Sequence, residues 1–121
     1  MEDEMAEETR VLKRRHLIFY LEVYDDASGE LLGHVVDITT KGMKIISHAE
    51  VPINRMFRLR MMLPEGYFDD HFIHFEARSL WSANDVNPDF FDTGFEVPFM
   101  DVEARKTILK LIHETGFNDQ D

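Results

Sequence analysis

Arg55-Met56-Phe57-Arg58-Leu59-Arg60-Met61-Met62-Leu63 is the stretch from which the fold can be read. Met56, Arg58, Arg60 and Met62 point one way, and Phe57, Leu59, Met61 and Leu63 the other. A period of two over that length is a half-buried β-strand with one solvated face. Val51-Pro52-Ile53-Asn54 breaks the chain before it, and Pro64-Glu65-Gly66 closes it. Downstream, His71–Trp81 reads as a second long strand, Asn84–Asp89 with Pro88 as a loop, and Phe90–Val97 as the last strand. Upstream, the aromatic and β-branched run His16–Tyr24 reads as the first strand. The turn Asp25-Asp26-Ala27-Ser28-Gly29 joins it to a second, Glu30–Thr39. Thr39-Thr40-Lys41-Gly42 is another tight turn, after which Met43–Ser47 resumes a strand.

The last segment differs in kind. Asp101 can cap a helix running to about Thr115, with Val102, Ile108, Leu109 and Ile112 mostly on one side. Gly116 stands where a glycine ends a helix, and Phe117 can fold back on the last turn. Six strands at short spacing followed by one helix predict a mainly β fold: a six-stranded antiparallel barrel, closed or nearly so, with a C-terminal α-helix over it. Trp81 is expected in the core or at the barrel rim, with a stacking role as the alternative, and Met43, Met56, Met61 and Met62 as core filler, with an exposed patch that docks a partner as theirs.

A chain of 121 residues has room for one domain, and 44% hydrophobic content supplies its core. Residues 1–9 carry five carboxylates and no base, and are expected to be a disordered acidic tail. The domain is expected over 10–117, with a short tail at 118–121. There is no cysteine, hence no disulfide, zinc ribbon or thiol nucleophile. The apolar runs are too short to span a bilayer, and Met1-Glu2-Asp3-Glu4 has the wrong charge to begin a secretory signal. The expectation is a cytoplasmic protein without membrane insertion. A net charge of −11 argues against general binding to nucleic acid, because the long-range field repels phosphates.

No phosphate loop, zinc-binding His pair or nucleophile elbow is present. Asp25–Glu30 lacks the first ligand and the closing Glu of a calcium loop, and His71 and His74 fall on opposite sides of a strand. Neither a metal nor an enzymatic activity is expected.

Two stretches do carry chemistry. Arg10-Val11-Leu12-Lys13-Arg14-Arg15 precedes the first strand, and Asp37-Ile38-Thr39-Thr40-Lys41-Gly42 ends the second. The intervening hairpin returns the chain to its start, so the two should meet at one end of the barrel. Arg10, Arg14 and Arg15 offer planar donor forks for phosphate or for the guanine O6/N7 edge. Asp37 can accept from guanine N1–H and N2–H, Thr39 adds a hydroxyl, and Gly42 lets a ligand approach the backbone.

These motifs resemble the two signatures of the PilZ family, Arg-x-x-x-Arg followed by Asp/Asn-x-Ser-x-x-Gly, with Thr39 in place of the serine. Asp92-Thr93-Gly94-Phe95-Glu96-Val97 is similar to the family's final strand, and the likeness covers roughly residues 10–115. It implies a bacterial second-messenger effector that binds cyclic di-GMP on the barrel exterior, with the arginine segment folding over the ligand. No other cofactor is implied. With one domain, the signal would pass to a partner protein, in motility, adhesion or exopolysaccharide control. Two registers fit the first signature: Arg10 with Arg14, or Arg15 with Phe19 in the second place. The latter would suit a PilZ-fold adaptor that has lost the nucleotide and acts by protein contact. The acidic residues 1–9 abut the arginines and would compete with an anionic ligand. Deleting them is expected to tighten nucleotide binding at low salt; an unchanged affinity would remove that competition from the account.

Overall fold

The computed structural model describes residues 21–115. Among these residues it contains β1 (Glu22–Asp25), β2 (Leu31–Ile38), β3 (Gly42–Ser47), β4 (Met56–Met62), β5 (Phe72–Asn84), β6 (Phe91–Glu96) and α1 (Val102–Thr115). The strands close into a barrel in the order β1-β2-β3-β6-β5-β4, and every neighbouring pair is antiparallel. The six-stranded barrel with a C-terminal helix expected from the alternation is therefore the fold. The start of the first strand at His16, the arginine segment, both tails, Gly116 and Phe117 lie outside the described residues.

The alternation in β4 is obeyed throughout. Phe57, Leu59 and Met61 point into the barrel, joined there by Val23, Val35, Ile45, Phe75, Ala77 and Phe95. Of the four methionines expected in the core, Met43 and Met61 are buried and Met62 lies partly buried against the core, whereas Met56 is exposed. The β1–β2 turn is held as its composition suggests: the Ala27 N–H donates to Asp25 Oδ1 (3.0 Å), and the Glu30 N–H to Ser28 Oγ (3.2 Å).

The break at residues 51–54 is anchored by one buried hydroxyl. Ser79, fully buried on β5, donates from Oγ to the Pro52 carbonyl (2.6 Å) and accepts from the Arg55 N–H (3.2 Å). Its carbonyl accepts the Asn54 N–H (2.6 Å), where Asn54 takes a left-handed φ of 58°. A buried polar group in a barrel core is tolerated only when bonded in this way.

Helix α1 starts where expected, with Asp101 Oδ1 accepting the Ala104 N–H at 2.8 Å. Its buried stripe differs from the expected one. Ala104, Ile108 and Leu111 are buried and Ile112 is partly so, while Val102 is 64% and Leu109 50% exposed. The spacing of four and three residues from Ala104 to Leu111 is a helical face in its own right, and the small Ala104 permits close approach to the barrel. Ile108→Ala or Leu111→Ala is expected to cost about 2–5 kcal/mol in chemical denaturation. Val102→Ala and Leu109→Ala should each stay within about 0.5 kcal/mol of the parent.

Candidate functional site

Two irregularities in the ladder build the site. Between β2 and β3 the register runs Val35↔Ile45, then Asp37↔Lys44 and Ile38↔Met43, which leaves Val36 as an extra residue. Strict alternation from Gly33 and Val35 would carry Asp37 into the core. The bulge reverses the phase, so that Asp37 is exposed and Ile38 is buried. Between β5 and β6 the register passes from Ser79↔Phe95 to Trp81↔Gly94, and Leu80 is the extra residue. Phe75, Ala77 and Ser79 point inward, and without the bulge Trp81 would follow them. Instead it is turned out and is 44% exposed. The expected core or rim placement of Trp81 is thus corrected: it stands on the outer wall.

The outward side chains line up across four strands. Asp37 on β2 pairs with Lys44 on β3, Lys44 with Gly94 on β6, and Gly94 with Trp81 on β5. The indole lies across the backbone of Gly94, where a Cβ would overlap the ring at Nε1 and Cε2. One face of the ring is thus seated on the sheet. With Thr39, Gly42 and Leu80, this row lines an open cleft of about 260 Å³.

The Asp37–Gly42 turn is built by its own polar groups. Thr39 Oγ1 accepts the N–H groups of Lys41 (3.1 Å) and Gly42 (3.2 Å), and the Thr39 N–H donates to the Gly42 carbonyl (2.8 Å). With both acceptor positions used, the Thr39 hydroxyl has its proton left to donate. The Lys41 carbonyl accepts the Val97 N–H (2.7 Å), which ties the turn to the strand after next in the barrel. Gly42 is required by this close approach: a Cβ would come within 2.8 Å of the Phe95 carbonyl oxygen. The cleft thus brings Asp37, Thr39 and Gly42 together as the sequence suggests, whereas Arg10, Arg14 and Arg15 lie outside the described residues.

Beyond Lys44, two carboxylates crowd the rim. Asp92 is opposite Ile46 on β6, one step along the outer face from Gly94, and its carboxyl is hydrogen-bonded to Asp85 from the β5–β6 loop. Burial, then the bond to Asp85 and its charge, raise the Asp92 pKa. The Asn87 N–H, which Asp85 Oδ2 accepts at 3.2 Å, is the main cause holding Asp85 low. The Lys44 ammonium acts on both carboxyls, lowering the two pKa values. Lys44 and Gly94 carry no site signal of their own in the sequence, and the outward Trp81 fits the stacking alternative rather than core or rim packing. The signal for the bulges is nonetheless there, in the adjacent pairs Val35-Val36 and Leu80-Trp81 that interrupt the alternation.

No family model matches the sequence, and no curated protein resembles it significantly. Solved structures do. The Bacillus subtilis inhibitor of motility MotI/DgrA superposes with a TM-score of 0.62 at 15% identity, over 84% of this chain and 48% of that one. The PilZ domain of Escherichia coli YcgR, solved with cyclic di-GMP, superposes with a TM-score of 0.57 at 12% identity, over 80% of this chain and 82% of the other. The chain therefore has a PilZ-like fold and spans about half the length of the motility inhibitor. Among the described residues, no helix is long and apolar enough to cross a membrane.

Gly94→Ala is expected to lift the indole off β6 while leaving the barrel folded. As Trp81 is the single tryptophan, its emission should shift to longer wavelength and its quenching by acrylamide should increase. Unchanged emission and quenching in a folded variant would contradict the seating described.

Proposed function

We propose that this chain is a bacterial second-messenger effector, not an enzyme, that binds cyclic di-GMP on the outer wall of its barrel. The observation that carries the reading is the meeting of Asp37, Thr39 and Gly42 with an outward Trp81 in one cleft on a PilZ-like barrel. Asp37 accepts the N1–H and N2–H of a guanine, and the Thr39 proton serves an acceptor on the same ligand. Trp81 offers its free face to a purine, a contact worth about 1–3 kcal/mol per base in single-strand recognition. Arg10 and Arg14, or Arg15, supply the phosphate forks from the segment preceding the barrel. The resulting change of surface passes to a partner protein acting in motility, adhesion or exopolysaccharide control, within the cytoplasm.

Calorimetric titration tests this, with GTP and cyclic di-AMP as controls. Selective, saturable binding of cyclic di-GMP is expected, weakened tenfold to a hundredfold in Asp37→Ala, the range of a lost base-edge contact. Arg14→Ala should weaken it comparably if Arg10 and Arg14 form the first signature. No heat and no thermal stabilisation at high ligand concentration would overturn the receptor reading. It would favour the nucleotide-free adaptor, in which Phe19 takes the second arginine's place.

A further inference from the structure

We propose that Lys44 is a ligand-binding residue of the cleft, taking a phosphodiester oxygen between Asp37 and Trp81, and that Asp92 with Asp85 competes for its ammonium. The proposal rests on the cyclic di-GMP reading and adds a phosphate contact from the barrel wall itself.

Position is the first argument. Neighbouring strands lie about 4.8 Å apart, and the row runs Asp37, Lys44, Gly94, Trp81 on consecutive strands. Lys44 therefore stands one strand from the carboxylate that reads a base edge. It stands two strands from the strand that bears Trp81, whose ring reaches back over Gly94. A ligand with one base at Asp37 and another on the indole must pass its backbone over the intervening strand. In a cyclic dinucleotide that backbone is a phosphodiester. Lys44 points outward there, between the inward Met43 and Ile45.

Charge is the second argument. The chain carries a net charge of −11, so an anionic ligand approaches against the overall field. Among the described residues lining the cleft, Lys44 supplies the single cationic side chain. Its charge is felt by two carboxyls at the rim, Asp92 on β6 and Asp85 in the β5–β6 loop, and Asp37 faces it from β2. Asp92 lies one step from Gly94 on the outer face, diagonal to Lys44, so its carboxyl, with that of Asp85 beside it, offsets part of the Lys44 charge that a phosphodiester meets. Asp92 and Asp85 are positioning residues, because they act through Lys44.

Cyclic di-GMP titrations of the full chain at low and high salt, followed by calorimetry and by Trp81 fluorescence, test both halves. Lys44→Gln is expected to weaken binding about tenfold, the range of a hydrogen bond to a charged group. Its affinity should also depend less on salt, and Lys44→Arg should restore both. Asp92→Asn preserves a hydrogen-bonding partner for Asp85 and is expected to tighten binding, an effect that structural damage does not produce. Parent-like affinity and salt dependence in Lys44→Gln would overturn the phosphate contact while leaving the receptor reading intact. Unchanged or weaker binding in Asp92→Asn would overturn the competition. Absence of binding by the parent protein would sink the receptor reading and the Lys44 contact together.

Discussion

Phase along a β-strand is the constraint on which this molecule turns. Successive side chains alternate between core and solvent, so one extra residue in the ladder exchanges the two faces for everything beyond it. Val36 does this in β2 and Leu80 does it in β5. Both insertions have a core consequence and a surface consequence. Past Val36 the apolar Ile38 enters the core, and past Leu80 the Ser82 hydroxyl meets that of Thr93 at 2.9 Å, pointing inward. On the outer wall the same two insertions deliver Asp37 and Trp81 to a shared row. Without them, an ionised carboxylate and an indole N–H would face an apolar interior, an arrangement that costs several kcal/mol for the charge alone.

The remaining contacts make that row rigid. Ser79 ties the loop before β4 to β5 immediately ahead of the bulge, so the strand that bears Trp81 is held from inside. The Asp37–Gly42 turn is closed by Thr39 and clamped to Val97 by the Lys41 carbonyl. Two glycines then allow backbones and ring to meet: Gly42 against the Phe95 carbonyl and Gly94 beneath the indole. A recognition surface on strands and one closed turn keeps its geometry better than one on free loops.

Much of the fold was legible because its signals are local. The period of two in residues 55–63, the turn chemistry at Asp25–Gly29 and Thr39–Gly42, and the cap at Asp101 each depend on a few adjacent residues. The buried helix stripe was misread for a non-local reason. Val102 and Leu109 satisfy a helical period as well as Ala104 and Leu111 do, and the barrel's shape selects the face led by the small residue. In the site, Asp37, Thr39 and Gly42 were visible as a motif, since six consecutive residues hold them.

By itself the sequence determined the strand-rich class, the order of elements, the absence of thiol chemistry and the Asp–Thr–Gly turn, all of which follow from neighbours along the chain. Only the tertiary structure decided that Trp81 faces outward, that Lys44 lies between it and Asp37, and that Gly94 serves as the seat of the ring. The reason is physical. A bulge is defined by which residue on the partner strand is left unmatched, and β6 lies about fifty residues beyond β3 in the chain yet directly beside it in the barrel.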